Sequence, residues 1–396
     1  KVVNDQFGVE SGNRVLSYVH DRLLSCLEEG EYVARISADQ FNLLLKAGTE
    51  EALEARIERM ARVVNDGLAF DEGRTYLLTM TAGVCMVDDP ALPLMQIRDR
   101  ANVARKKVGE GAGGGRLCAC RFYSSEDSLQ LSAEKEIENR MRAALDAGEF
   151  AIYLQPKLDL RTDAVVGAEA LVRWIDPVRG LVPPSDFIPL FEKNGFVTEI
   201  DLHVLRQACT RLEERLAQGL PVVPIACNFS RLHLQRDGFP ERVRAIVDEY
   251  AVPVDLIELE LTENIVMEDL ERAKVICRQL KDLGFRISID DFGSGYSSLG
   301  TLQDLTIDVL KLDRTFLMSS ESGERSRAIL EGVVGIAEKL HVTIVVEGVE
   351  TCEQAAMLLQ LDDGVIAQGY LYSRPVPRAE SDRQLDGAVL EPHEGC

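Results

Sequence analysis

The chain has 396 residues, 46% of them hydrophobic, and a formal net charge of -22 at pH 7. The length favours two domains over one, each with apolar residues enough for a core. The acidic balance excludes a general binder of DNA or RNA, which needs a basic face; it leaves a small anionic ligand open, because bound metal ions can reverse a local field.

The chain opens at Lys1-Val2-Val3-Asn4 without an initiator Met, so an upstream region remains open. The clearest break in composition is the glycine run Gly109 to Gly115. It lacks the Gly-Lys-Ser/Thr ending of a phosphate loop and reads as a flexible loop near a domain end. Ser132 to Gly148 then reads as a helix. Ile137, Met141 and Leu145 fall at helical spacing, Ser132 suits an N-cap, and Glu134 and Glu136 suit the first turn. The expected division is a first domain over 1–123, a linker helix over 124–140, a second domain over 141–382 and a tail over 383–396.

The second domain has a repeating rhythm in which short apolar runs end on polar or charged residues. The runs are 151–154 before Gln155, 165–168 before Glu169, 222–227 before Asn228 and 256–259 before Glu260. Next come 287–289 before Asp290, 309–310 before Lys311, 344–346 before Glu347 and 365–367 before Gln368. Helix-like segments such as 270–283 and 326–340 separate the later runs. Parallel strands alternating with helices predict a (β/α)8 barrel, whose site lies at the C-terminal ends of its strands. The gap from Gln155 to Glu169 is too short for a helical crossover, so the first two strands are expected to form a hairpin in an irregular barrel.

The strand-end set is Gln155, Glu169, Asn228, Glu260, Glu263, Asp290, Asp291, Lys311, Asp313, Glu347, Glu350 and Gln368. Oxygen ligands suit hard divalent ions such as magnesium or manganese. None of the five histidines joins the set, which argues against zinc hydrolysis. Adjacent Asp290 and Asp291 repel unless a cation intervenes; one can bridge two ions while its neighbour binds one. Two such ions activate water and stabilise the leaving oxygen of a phosphodiester, and a lysine among them can hold the water. Each residue alone is as readily a helix cap, loop residue or ion-pair partner; so many acids and amides at one end of successive strands would be costly without cations. The nine cysteines are odd in number and scattered, which reads as free thiols in a reducing compartment. No run approaches the roughly 18 apolar residues of a membrane span and no signal peptide opens the chain, so no membrane contact within this chain is expected and its setting reads as cytoplasmic. Tethering of a longer protein to the inner membrane through a missing N-terminal region stays open.

In these residues the chain resembles bacterial cyclic di-GMP phosphodiesterases in which a GGDEF domain precedes an EAL domain. The EAL resemblance covers about residue 134 to 380. Glu169-Ala170-Leu171-Val172-Arg173 matches the signature ExLxR, Asn228-Phe229-Ser230 the NxS strand end and Glu260-Leu261-Thr262-Glu263 the ExTE motif. The run from Asp290-Asp291-Phe292-Gly293 to Leu299 resembles the DDFG loop, Lys311-Leu312-Asp313-Arg314 the KxDR motif, Glu347-Gly348-Val349-Glu350 the EGVE motif and Gln368-Gly369-Tyr370 the QGY motif. The resemblance implies a TIM-like EAL barrel preceded by a GGDEF-like α+β domain with an antiparallel or mixed sheet and flanking helices. It implies metal-dependent hydrolysis of cyclic di-GMP to linear pGpG, with two Mg2+ or Mn2+ ions per site. Glu169, Asn228, Glu260 and Asp290 would bind the first ion, and Asp290 and Asp291 the second. Glu347 would act on the attacking water and Lys311 would orient it. Gln155, Leu171, Arg173, Asp313, Glu350 and Gln368 would contact substrate, Arg173 at a phosphate. Glu263 would brace the loop from Phe292 to Leu299, which in the family couples the site to a homodimer interface. The competing reading is a catalytically silent cyclic di-GMP receptor, whose mark would be a missing ligand; none of these positions departs from the pattern.

The first domain departs from its pattern. Ser37-Ala38-Asp39-Gln40-Phe41 stands where GGDEF is expected. Both glycines are replaced, which keeps the backbone from a triphosphate, and Gln40 removes a metal-binding charge. Glu28-Glu29-Gly30-Glu31 stands where the inhibitory RxxD motif is expected. The resemblance therefore implies no diguanylate cyclase activity and no product-inhibition site. GTP binding at Asn4 and Asn13 as a regulatory input stays open beside a purely structural role.

Overall fold

The computed structural model describes residues 2–46, 48–66, 69–70, 74–75, 77–108, 117–293, 304–320, 324–361, 364–387 and 390. The glycine run at 109–115 and the segment 294–299 read above lie outside the described residues. The chain separates into two compact units, Lys1–Glu136 and Ile137–Cys396.

In the first unit the helix Val2–Leu24 precedes an antiparallel hairpin, β1 (Tyr32–Ser37) and β2 (Gln40–Leu44). The helix Glu50–Asn65 follows, capped by Thr49, whose hydroxyl accepts from Ala52 N at 3.3 Å. β3 (Ala69–Phe70) pairs antiparallel with β4 (Arg74–Thr75), and β5 (Met80–Val84) pairs parallel with β6 (Cys118–Phe122) across the helix Leu94–Lys106. Val15, Val19, Leu23, Met60 and Val64 form a small core. Helices with pairings of both senses are the α+β class expected.

Ser37 pairs with Gln40, so Ala38 and Asp39 form a two-residue turn. Ala38 holds φ +40°, a left-handed conformation that favours glycine. Glu31 is a buried carboxylate of this unit. It accepts from Glu28 N and Lys46 N, both at 2.7 Å, and from both terminal nitrogens of Arg56 at 2.7 and 2.6 Å. Those bonds, Arg56 first, hold its pKa down at about 2. The stretch 28–31 thus joins hairpin and helix.

The next helix is Ser125–Asp146. It begins seven positions before Ser132, the expected N-cap, and one after residue 124, where the linker helix was expected to start; a reciprocal cap precedes it, with Ser124 Oγ accepting from Asp127 N at 3.2 Å and Asp127 Oδ2 from Ser124 N at 3.1 Å. No Gly or Pro interrupts the turns between, so Ser132 lies inside the helix.

The second unit carries β7 (Phe150–Asp159), β8 (Ala164–Asp176), β9 (Gly180–Val182), β10 (Ile225–Asn228), β11 (Ile257–Thr262), β12 (Arg286–Phe292), β13 (Val309–Leu312), β14 (Thr343–Glu347) and β15 (Ile366–Gln368). β8, β10 to β15 and β7 close into a ring. Neighbours from β8 to β15 run parallel, while β7 runs antiparallel to both β8 and β15. This is the irregular barrel expected, with its first two strands as a hairpin. β8 does not stop at Glu169. Its ladder with β7 runs on to Trp174, opposite Phe150, because a hairpin partner is available along the whole length. β10 in turn starts only at Ile225, leaving 222–224 outside the strand.

Helices such as Val197–Ala217, Leu270–Asp282 and Glu324–Leu340 cover the outside of the ring. Phe150, Trp174, Phe187 and Phe191 form an aromatic cluster with ring centroids 5.1 to 6.5 Å apart. Trp174 Nε1 donates to Glu149 Oε2 at 2.8 Å, and Arg140 of the incoming helix stacks over Trp174 while pairing with Glu149 and Asp176. At the other end of the chain the helix Arg378–Gly387 spans the expected start of the tail. Its Asp382 and Asp386 each pair with Arg215 at 2.6 Å.

Among the described residues Cys26, Cys85, Cys118, Cys120, Cys209, Cys227 and Cys277 are free thiols, but Cys352 is disulfide-bonded, against the expectation of free thiols throughout. Spacing does not reveal which cysteines folding brings together. No helix among the described residues is long and apolar enough to cross a membrane.

Candidate active site

The strand ends converge on one buried lysine. Lys311 lies on β13, fully enclosed, with Nζ 2.7 Å from Glu347 Oε1, 2.9 Å from Asp290 Oδ1, 3.1 Å from Glu260 Oε2 and 3.2 Å from Glu169 Oε2. These partners come from β14, β12, β11 and β8. In a barrel each interior position is a strand residue of the same parity, so side chains far apart in sequence meet at one height. Glu169 also accepts from Asn228 Nδ2 at 2.7 Å and from Gln368 Nε2 at 2.6 Å. Gln368 reaches Gln155 Oε1 at 3.2 Å, and Gln155 Nε2 donates to Ser373 O at 3.2 Å.

Among the described residues two carboxylate groups are compact enough to hold a cation, with their ligand atoms within 4.8 Å of one another: Glu169, Glu260 and Asp290, and again Asp290, Asp291 and Glu347. Asp290 belongs to both. Asp291 is placed by an unusual backbone. It has φ +57° at an irregularity in the β12–β13 register, and its N–H donates to Asp290 Oδ1 at 3.0 Å. A left-handed non-glycine residue costs roughly 1–2 kcal/mol, which the surrounding sheet must sustain.

The electrostatics are those of crowded anions around too few cations. Burial opposes ionisation of Glu169, but Lys311 and Lys157, with the amides of Gln368 and Asn228, hold its pKa down at about 2. Burial and the neighbouring Glu169 push Glu260 up to about 8, against the pull of Lys157 and Lys311. Burial also raises Glu347, to about 7, against Lys311, with Asp290 and Glu169 adding to the rise. Asp291 is raised by burial and by Asp290.

The other expected site residues lie further out. Glu263 is buried and accepts from Gly293 N at 3.0 Å, so it holds the start of the segment that follows Phe292. Leu171 and Arg173 share the face of Glu169 on β8. Arg173 is half-buried, packs over the Tyr153 ring at 5.7 Å and donates to Val172 O at 2.8 Å. Asp313 accepts from Thr315 N at 2.9 Å at the end of β13. Glu350 is exposed beyond β14, its backbone N–H bound to Gln354 Oε1 at 2.8 Å. Gly348, with φ +69°, is required between Glu347 and Glu350, since a Cβ there would meet Arg314 Cβ at 2.5 Å.

Three contributors were not legible from strand ends. Lys157 and Glu258 lie inside the barrel and belong to this charge network. Asp201, on the helix Val197–Ala217, accepts from Ser230 N at 2.9 Å and pairs with His233 Nε2 at 3.1 Å, fixing the turn after Asn228. A charged residue within an apolar run, as Glu258 is in 256–259, was the available signal.

Comparison with known proteins identifies the two domains. The model of the EAL domain matches residues 138–375. The chain belongs to the EAL domain family. Ahead of the EAL domain, the model described as diguanylate cyclase, GGDEF domain matches residues 1–111. Cyclic di-GMP phosphodiesterase NbdA of Pseudomonas aeruginosa is 33% identical over 385 residues, 97% of this chain and 48% of that protein. Oxygen sensor protein DosP of Escherichia coli is 30% identical over 96% of this chain and 46% of its own length. The chain thus spans about half the length of these curated relatives. Among solved structures, the PaMucR phosphodiesterase in complex with c-di-GMP is 35% identical, with a TM-score of 0.59, over 62% of this chain and 99% of that one. The EAL domain of Mycobacterium smegmatis DcpA is 33% identical, with a TM-score of 0.51, over 61% of this chain and 99% of that one.

Proposed function

We propose that this chain hydrolyses one phosphodiester bond of cyclic di-GMP, giving linear pGpG, with two Mg2+ or Mn2+ ions per site. The observation that carries the reading is Asp290, shared by two carboxylate groups at the mouth of the barrel. A shared carboxylate suits two adjacent ions and hence in-line displacement at phosphorus. The donor set fits hard ions: its charged members are carboxylates, and Gln368 Oε1 is a buried acceptor with no hydrogen-bond partner among the described residues. The cyclic di-GMP phosphodiesterase NbdA and the PaMucR phosphodiesterase in complex with c-di-GMP support the choice of substrate.

Glu169, Asn228, Glu260 and Asp290 would hold the first ion, and Asp290 with Asp291 the second. When bound, the ions supply acidified water and neutralise developing phosphoryl charge. Lys311 orients the attacking water and offers its charge to the phosphoryl oxygens. Glu347, 2.7 Å from Lys311, would act on the same water as its base. Arg173 meets a substrate phosphate; Gln155, Leu171, Asp313, Glu350 and Gln368 line the remaining contacts. Glu263 braces the segment that leads towards a homodimer interface on the EAL domain. The first domain makes no cyclic di-GMP and serves the second as a regulatory or dimerising partner, with GTP as a candidate input.

The test is chromatographic product analysis of the purified chain with cyclic di-GMP. pGpG is expected with Mg2+ or Mn2+ and none with EDTA, and GTP with Mg2+ should give no cyclic product. Absence of pGpG with both metals refutes the reading; tight binding without turnover would establish a silent receptor instead. Glu169→Ala should lose more than the roughly 10–100-fold that an outer-shell change costs a metal site.

A further inference from the structure

Below the carboxylate cluster lies a buried ion pair that the proposed reaction does not use. β7 turns Gln155 and Lys157 to the barrel interior, and β11 turns Glu258 and Glu260 there, by strand alternation. Lys157 sits opposite Gly167, two positions deeper than Gln155 opposite Glu169. Its Nζ is 2.8 Å from Glu258 Oε1 and 2.8 Å from Glu260 Oε1. Glu260 Oε2 is 3.1 Å from Lys311. The two oxygens of Glu260 are therefore divided between two ammonium groups, one from below and one from the mouth. All three lower side chains are almost wholly enclosed, so none of these charges exchanges its partner for water.

We propose that Lys157 is a positioning residue for the cation site. By engaging Oε1 of Glu260 from below, it fixes that side chain and leaves Oε2 as the oxygen presented to a divalent ion. The inference rests on reading Glu260 as an ion ligand. A carboxylate with both oxygens free can chelate through two atoms or swing away; one with an oxygen anchored can do neither, so the site is preorganised. Glu258 completes the device by holding Lys157 in place, giving a continuous line Glu258–Lys157–Glu260–Lys311 through the barrel.

The alternative role for Lys157 is to neutralise Glu258 and nothing more. Lys157→Met alone strips Glu258 of its ion-pair partner and leaves Glu260 with Lys311 only, so it tests stability as much as function. The informative variant is Lys157→Met/Glu258→Leu, since replacing both members of a buried pair by apolar residues is often neutral or stabilising. The measurements, on the full 396-residue chain, are the thermal midpoint in EDTA and Mn2+ affinity by titration calorimetry. The expected result is a midpoint near wild type with Mn2+ bound roughly 10–100-fold more weakly. Wild-type affinity in the double variant overturns the proposal. Glu258→Gln, which keeps Lys157 on Glu260, should retain wild-type affinity; a loss as large as in the double variant assigns the effect to Glu258 and also overturns it. Where the double variant does not fold, Lys157→Gln measured below its own melting temperature carries the same two outcomes. A wild-type chain that binds no Mn2+ refutes Glu260 as a ligand and the inference with it. A wild-type chain that binds Mn2+ beside an unimpaired double variant refutes only the role of Lys157.

Discussion

Replacing Lys311 by Met tests whether cations are built into the stability of the barrel. Lys311 Nζ is within 3.2 Å of four carboxylates on four strands, and its side chain is fully enclosed. Methionine fills much the same volume and removes the charge. Taking one partner from a buried ion pair costs about 3–5 kcal/mol, because the remaining charge is stranded. Here several carboxylates are stranded, but they can take up protons in place of the ammonium, so the single-pair range is the fitting estimate. For a unit of this size each kcal/mol shifts the melting temperature by about 2–4 °C, so in EDTA the barrel transition should fall by roughly 6–20 °C. Divalent ions should reverse the loss. A ligand at 100 times its Kd stabilises by about 2.7 kcal/mol and at 1,000 times by about 4.1. The assay is calorimetric melting of wild type and Lys311→Met in EDTA and in excess Mn2+, with pGpG formation measured in parallel. The variant should regain most of its melting temperature in Mn2+ and still fail to hydrolyse. A variant that melts with wild type in EDTA, or that Mn2+ does not stabilise, refutes the view that ions and lysine compensate the same carboxylates.

The raised carboxylates predict a pH dependence. Glu260 and Glu347, held up to about 8 and about 7, bind protons in the folded chain that the unfolded chain has released above its usual value near 4.5. Their contribution is present below pH 4.5 and is lost as pH rises through 7 and 8; metal-free stability of the barrel should therefore fall from pH 5 to pH 8, and excess Mn2+ should flatten the fall. A flat metal-free profile would count against it. In the first unit, Glu31→Ala should cost about 3 kcal/mol, the low end for a broken buried pair because Arg56 retains some access to water; urea unfolding followed on that unit checks it. Ala38→Gly should stabilise the same unit by about 1 kcal/mol by relieving the left-handed turn, read in the same experiment; destabilisation would show that the turn is not strained.

Much of the barrel was legible because each site residue closes or follows a short apolar run, a pattern that survives in one dimension. Glu169, Glu260, Asp290, Lys311 and Glu347 were found that way, and the short interval from Gln155 to Glu169 already required a hairpin. What was not legible depends on partners. β8 continues past Glu169 because β7 is there to pair with it, and no local signal in Leu171 to Asp176 ends or extends a strand. Ser132 reads as the N-cap because either serine can cap, and only the reciprocal bonds of Ser124 and Asp127 place the cap at the start of the linker helix. Lys157 and Glu258 lie within strands and not at their ends; they acquire meaning only when β7 and β11 face each other across the interior. Cys352 likewise finds its sulfur partner through folding rather than spacing.

The reversal of β7 has a consequence for how the molecule can be controlled. In a barrel whose strands all run one way, the chain enters at the face opposite the chemistry. Here Phe150, at the start of β7, lies beside Trp174, near the far end of β8, so the entry point is on the rim that bears Glu169 and Arg173. The incoming helix is clamped there by Arg140 on Asp176, Glu149 and Trp174. Rotation or pull along that helix would reach the rim that bears Glu169 in a few bonds, with no need to traverse the barrel. The helix that leads into the barrel thus joins it at the rim that bears the candidate site, and not at the opposite face.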